Sequence, residues 1–146
     1  MQKKKSAPSG NKDEFVQFGY HLTIDLYGCP KAPLEDLQLC YDALNTLPEK
    51  LGMHKLIPPY MIPAGSNLHT GGKDPGGITG MVIIAESHIS IHTFAKRGFI
   101  SIDVYSCKPF DQAAAVAHFE TLFKPTESEV HFLNRGERYP VKDIHD

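Results

Sequence analysis

The feature that most constrains this chain is the stretch from Ile78 to Cys107. There two apolar segments, Ile78 to Phe94 with an interruption and Phe99 to Cys107, alternate at the period of a strand and are parted by Lys96, Arg97 and Gly98. A turn this short makes the two strands antiparallel neighbours, because a parallel pair needs a crossover of a dozen or more residues. Val16, Phe18, Tyr20, Leu22, Ile24 and Leu26 repeat the alternation until Gly28 and Pro30 stop it, and Val130 and Phe132 mark a last strand. Helical spacing governs the apolar residues elsewhere. From Pro33, suited to a first turn, Leu34, Leu37, Tyr41 and Leu44 line one stripe with Cys40 and Leu47 beside them, as far as Leu51 and Gly52. A second stripe, Val116, Phe119, Leu122 and Phe123, lies between a capping Asp111 and Pro125. Two amphipathic helices cover one face of such a sheet. The predicted fold is therefore α+β: a two-layer sandwich of a mainly antiparallel sheet with helices packed on one face.

At 146 residues the chain makes one domain, predicted over 15–146, preceded by a basic and polar tail over 1–14 that carries Lys3, Lys4 and Lys5. Met53 to Met61 contains Pro58 and Pro59, so a strand there is brief or at an edge. Pro63 to Gly77, rich in glycine, reads as a loop long enough to suggest a function, and Asn134 to Asp146 as a polar terminus. A net charge of −2 offers no broad field for a polyanion, which argues against nucleic acid. No apolar run reaches the length of a membrane-spanning helix, and Met1 to Glu14 lacks the hydrophobic centre of a secretory signal. Cys29, Cys40 and Cys107 are odd in number, far apart and free of any C-x-x-C pair. That pattern fits a reducing compartment, and a cytoplasmic location is the expectation.

The chemistry concentrates in Glu86-Ser87-His88-Ile89-Ser90-Ile91-His92-Thr93-Phe94. On one reading this is a half-exposed strand, with Glu86, His88, Ser90 and His92 toward water and Ser87, Ile89 and Ile91 toward the core. On another, the same parity lets Glu86, His88 and His92 hold a transition metal in a non-enzymatic binding module. Spacing alone leaves both open.

The run Met81 to Cys107, including Ala85-Glu86-Ser87-His88-Ile89-Ser90-Ile91-His92-Thr93-Phe94 and Asp103-Val104-Tyr105-Ser106-Cys107, closely resembles the prokaryotic S-adenosylmethionine decarboxylase proenzymes. Tyr20-His21, Tyr27-Gly28-Cys29 and Gly77-Ile78-Thr79-Gly80 resemble that family too, and the likeness covers about residues 18 to 135. The resemblance implies a self-processing enzyme cut between Glu86 and Ser87 into a β chain (1–86) and an α chain (87–146), with Ser87 converted to a covalent pyruvoyl group. It further implies that the pyruvoyl ketone forms a Schiff base with S-adenosylmethionine and withdraws electrons as carbon dioxide leaves, giving the aminopropyl donor for polyamine (spermidine) synthesis. His92 matches the histidine that serves processing as proton acceptor and donor. Cys107 matches the cysteine that returns a proton to the substrate, and Thr79 stands where many members have a serine that assists processing. The resemblance also implies a homodimer of αβ units with active sites near the subunit boundary. Cys29 and Cys40 read as core residues.

Three positions depart from the family, and the last two bear on the substrate. Thr79 keeps the hydroxyl of the serine it replaces. Lys96 stands where nucleoside-binding members often carry a glutamate, and a lysine cannot accept hydrogen bonds from ribose hydroxyls. The loop Gly65 to Gly77 is longer than in compact members and holds no phenylalanine to stack on adenine, leaving Tyr60 or His69 as substitutes. A pyruvoyl-dependent arginine or ornithine decarboxylase of the same fold is the alternative. Parity adds a structural expectation: Ser87 and His92, five residues apart, point to opposite faces of a straight strand, so a bulge or break beside Ser87 must bring them together.

Overall fold

A computed structural model describes residues 14–145. The expected tail over 1–14 lies, except for Glu14, outside the described residues. In chain order the elements are β1 (Phe15–Val16), β2 (Gly19–Tyr27), α1 (Lys31–Glu35), α2 (Leu37–Lys50), β3 (Tyr60–Ala64), β4 (Gly77–Ile84), β5 (Ser87–Phe94), β6 (Phe99–Ser106), α3 (Gln112–Phe123), β7 (Glu127–Arg135) and β8 (Tyr139–Pro140). Six strands form one antiparallel sheet in the order β3-β4-β5-β6-β2-β7, and β1 pairs separately with β8. This is the α+β architecture that the sequence predicts.

The β5–β6 turn forms because Gly98 accepts φ 60° and lies against the Cys29 carbonyl, where a side chain would be crowded. Alternation then sorts the sheet into two faces. Leu22, Ile24 and Leu26 of β2, Val82 and Ile84 of β4, Ile89 and Ile91 of β5, and Ile100, Ile102 and Val104 of β6 meet Leu44 and Leu47 of α2 and Phe119 and Phe123 of α3 in one core. Each such side chain, fully buried, contributes about 1.5–3 kcal/mol, so this layer carries most of the stability. The opposite face has no covering element among the described residues, and Tyr60, Ile62, Met81 and Ile83 are exposed on it.

Several local expectations are corrected. The first strand is interrupted before Gly19, and only β2 joins the large sheet. The first helix is two: Asp36 is extended and its Oδ1 accepts the Leu39 N–H at 3.0 Å, so a capping carboxylate restarts the helix within an unbroken apolar stripe. The region expected as a loop from Pro63 begins with the last residues of β3 and contains a 3-10 turn at Leu68–Thr70. The polar terminus holds the end of β7 and all of β8. Thr93 ties the layers together: its Oγ1 donates to the Leu34 carbonyl at 2.8 Å and accepts the Ile78 N–H at 2.9 Å.

Candidate active site

Ala85 and Glu86 form the turn between β4 and β5, and Ser87 opens β5. The register of β5 against its neighbours is continuous. Ile84 faces Ser87 and Thr79 faces His92 across β4, while Ser106 faces Ser87 and Ser101 faces His92 across β6, with no residue inserted between. Of the bulge or break expected beside Ser87, no bulge occurs in the ladder from Ser87 to His92. The irregularity is at Ser87 itself, whose φ is 149°. For a residue with a Cβ such a conformation costs on the order of 1–3 kcal/mol and persists only where neighbours enforce it.

Those neighbours are identifiable. The Cys107 N–H donates to the Glu86 carbonyl oxygen at 2.8 Å, so the peptide carbonyl joining Glu86 to Ser87 is polarised by the amide following β6. On the other side, Met53 to Leu56 runs beside the end of β4. The Leu56 N–H donates to the Ile83 carbonyl at 2.9 Å, and the Ala85 N–H to the His54 carbonyl at 2.8 Å. His54 then grips the Glu86 carboxylate twice, with its own N–H to Oε2 at 3.1 Å and its ring Nδ1 to Oε1 at 2.8 Å. Burial pushes the Glu86 carboxyl up, but the His54 ring and amide outweigh it and hold the carboxyl below the usual carboxylate range. An ionised carboxylate only accepts, so Nδ1 carries the proton. Sequence reading did not single out His54, whose only signal was a histidine before a proline-rich segment.

Thr79 and His92 make the second group, with Thr79 Oγ1 3.2 Å from His92 Nδ1. They sit on the uncovered face toward the far end of β5, about 16 Å along the strand from Ser87. One chain thus unites Glu86, Ser87 and Cys107 in one cluster and Thr79 and His92 in another, without bringing His92 to Ser87. The uncovered face also carries an unanticipated network. His21 Nε2 lies 2.7 Å from Asp103 Oδ1, Arg135 Nη1 donates to His21 Nδ1 at 3.0 Å, and the Arg135 guanidinium sits 4.8 Å above the Tyr105 ring. The half-exposed strand reading is also corrected, since Glu86 and Ser90 are buried. Glu86, His88 and His92 are not assembled as a donor set, and among the described residues no three His, Cys, Asp or Glu side chains are grouped to hold a metal ion.

The model of the S-adenosylmethionine decarboxylase family matches residues 20–136. The chain belongs to that family. It is 32% identical over 124 residues to "S-adenosylmethionine decarboxylase proenzyme 2" of Bacillus cereus, covering 84% of this chain and 93% of that protein. It is 34% identical over 119 residues to the S-adenosylmethionine decarboxylase proenzyme of Clostridium botulinum, covering 81% and 94%. The crystal structure of the adenosylmethionine decarboxylase from Aquifex aeolicus superposes with a TM-score of 0.66 at 25% identity, over 90% of this chain and 98% of that one.

Within an S-adenosylmethionine decarboxylase the three cysteines separate physically. Burial raises the Cys29 thiol pKa, and burial with the nearby Asp36 pushes that of Cys40 up to about 12, so both stay protonated in the core. Cys107 is exposed. Lys96 lies in the 3-10 turn Ala95–Arg97, and the loop before Gly77 is fastened by an Asn67–Asp74 bridge and by Arg97 Nη2 donating to the Gly72 carbonyl at 3.1 Å. Both features occupy the His92 end of the sheet. A groove of about 620 Å³ between α2 and α3, lined by Asp42 and His118 among others, belongs to the helical layer on the opposite side of the sheet. Among the described residues no helix is long and apolar enough to cross a membrane.

Proposed function

We propose that this chain is a self-processing, pyruvoyl-dependent decarboxylase that converts S-adenosylmethionine to its decarboxylated form. Cleavage falls between Glu86 and Ser87. Ser87 Oγ attacks the Glu86 carbonyl carbon, and the Cys107 N–H receives the charge developing on the oxygen. The carbon–nitrogen bond then breaks, the amine of residue 87 takes a proton, and an ester replaces the amide. Loss of the residue 87 α-proton expels the Glu86 carboxylate and leaves a dehydroalanine, which gains water and releases ammonia to become a ketone. No external oxidant is consumed. The observation that carries this reading is the unfavourable φ of Ser87 on the same peptide whose carbonyl Cys107 polarises.

The residues present fit a pyruvoyl group, because the serine that would generate it heads a strand beside an exposed thiol. Held at position 87, that group supplies an electron sink for loss of carbon dioxide. Cys107 serves as the proton donor to the substrate carbon. Thr79 and His92 serve processing, His92 as the acid and base and Thr79 as its hydrogen-bond partner.

Because one subunit keeps His92 away from its own Ser87, the working unit is a homodimer. With the φ of Ser87 taking that residue out of the strand's alternation, packing two uncovered faces about a two-fold axis that crosses the strands near Ser90 carries the partner subunit's Thr79 and His92 toward the Ser87 end of β5. The same contact covers Met81 and Ile83. Electrophoresis and intact mass of the purified protein test the proposal. Fragments of 86 and 60 residues are expected, the smaller lighter by one ammonia than a serine terminus, together with carbon dioxide release from S-adenosylmethionine exceeding that from arginine or ornithine. A single uncut, inert chain overturns it.

A further inference from the structure

We infer that His54 is a positioning residue for self-cleavage, acting through the Glu86 side chain to hold the peptide that Ser87 attacks. This deepens the proposed processing and rests on it. The residue before a scissile bond can rotate about its own main-chain torsions, and each rotation moves the carbonyl carbon away from the attacking hydroxyl. Near-attack geometry is sensitive to displacements of about 1 Å. His54 restrains the dipeptide Ala85-Glu86 at three atoms: its carbonyl accepts the Ala85 N–H, its amide donates to Glu86 Oε2, and its ring donates to Oε1. The Cys107 amide holds the Glu86 carbonyl oxygen from the opposite strand. Glu86 is thereby fixed by main chain, side chain and carbonyl together, while Ser87 is held at an unfavourable φ. The strain cannot relax by movement upstream of the bond, only through the serine or through cleavage.

The arrangement also explains a buried carboxylate at a turn. Glu86 keeps 8% of its surface exposed and has no core role, and both its carboxylate oxygens are hydrogen-bonded by His54, whose side chain remains 76% exposed. A ring so exposed contributes little packing, so removing it tests positioning rather than folding.

The experiment follows cleavage of freshly expressed full-length chain by electrophoresis. His54→Ala is expected to slow cleavage about tenfold or more. His54→Asn, which places an amide donor where Nδ1–H stands, recovers most of that loss. In a Glu86→Gln background, His54→Ala adds little. Thermal unfolding of the Ser87→Ala precursor with and without each His54 change measures any folding defect, and midpoints within a degree or two are expected. Cleavage of His54→Ala at the unmodified rate, equal slowing by His54→Asn and His54→Ala, or multiplied effects in the double variant each overturn the inference. If the Ser87→Ala chain is itself cut at residue 86, the processing proposal fails instead, independently of His54.

Discussion

The main-chain amide of Cys107 is hydrogen-bonded at 2.8 Å to the carbonyl of Glu86, while the Cys107 side chain is exposed. One residue thus carries two separable groups, an amide bonded to the Glu86 carbonyl and an exposed thiol, to which the proposed mechanism gives different tasks.

Separating them by substitution gives different outcomes. Cys107→Ala keeps the amide and is expected to mature at close to the normal rate, yet to release carbon dioxide at least about a hundredfold more slowly. Cys107→Pro removes the N–H and slows cleavage itself. Gel densitometry of maturation set beside the kcat of the cleaved fraction distinguishes the two.

Subunit sharing of the site is testable by complementation. Ser87→Ala and His92→Ala chains, each uncut when expressed alone, are expected to yield cleaved His92→Ala chains when co-expressed. The hybrid dimer reunites an intact Ser87 with an intact partner histidine, whereas a site contained within one chain leaves both uncut.

Thr93 supplies a stability prediction. Thr93→Val removes the hydroxyl that serves both the Leu34 carbonyl and the Ile78 amide, leaving two buried backbone groups unpaired. A loss of about 1–3 kcal/mol in denaturant unfolding is expected, and Thr93→Ser recovers most of it.

Acid sensitivity has a specific source in the helical layer. His118 is buried, with Nε2–H donating to the Ala43 carbonyl at 2.9 Å and Nδ1 accepting from Lys50 at 3.0 Å. Burial lowers its pKa, the Ala43 carbonyl opposes the shift, and Lys50 lowers it further. The unfolded histidine therefore binds a proton first as pH falls. Stability from this group is complete above about pH 6.5 and is lost as pH drops toward the lowered folded value. Glu86, also lowered, contributes above the ordinary glutamate range and loses its share at still lower pH. Melting temperatures are expected to fall from about pH 6.5 to about 5, and His118→Gln flattens that slope.

The sheet was legible because both faces of the central hairpin are written in alternation and Gly98 marks its turn. The Glu86-Ser87 and Cys107 positions were legible only as a pattern resembling a family, since nothing in spacing says that residue 107's amide meets residue 86's carbonyl. The parity conflict between Ser87 and His92 was visible, but the bulge expected to resolve it does not occur. The strand stays regular because it is paired without interruption to β4 and β6, and the proposed remedy joins the φ of Ser87 to a second subunit, neither of which alternation in a single chain encodes. His54 escaped notice because its role depends on Met53 to Leu56 lying beside the end of β4, a contact between segments some thirty residues apart.

The φ of Ser87 has one more implication. Its cost arises from a tetrahedral L-centre whose Cβ collides with its own backbone. In the proposed product the severed carbon is planar and has lost its upstream amide, so neither the stereocentre nor the torsion exists any longer. Maturation then runs downhill toward a more comfortable molecule, and the reverse joining would have to rebuild the discomfort that cutting removed.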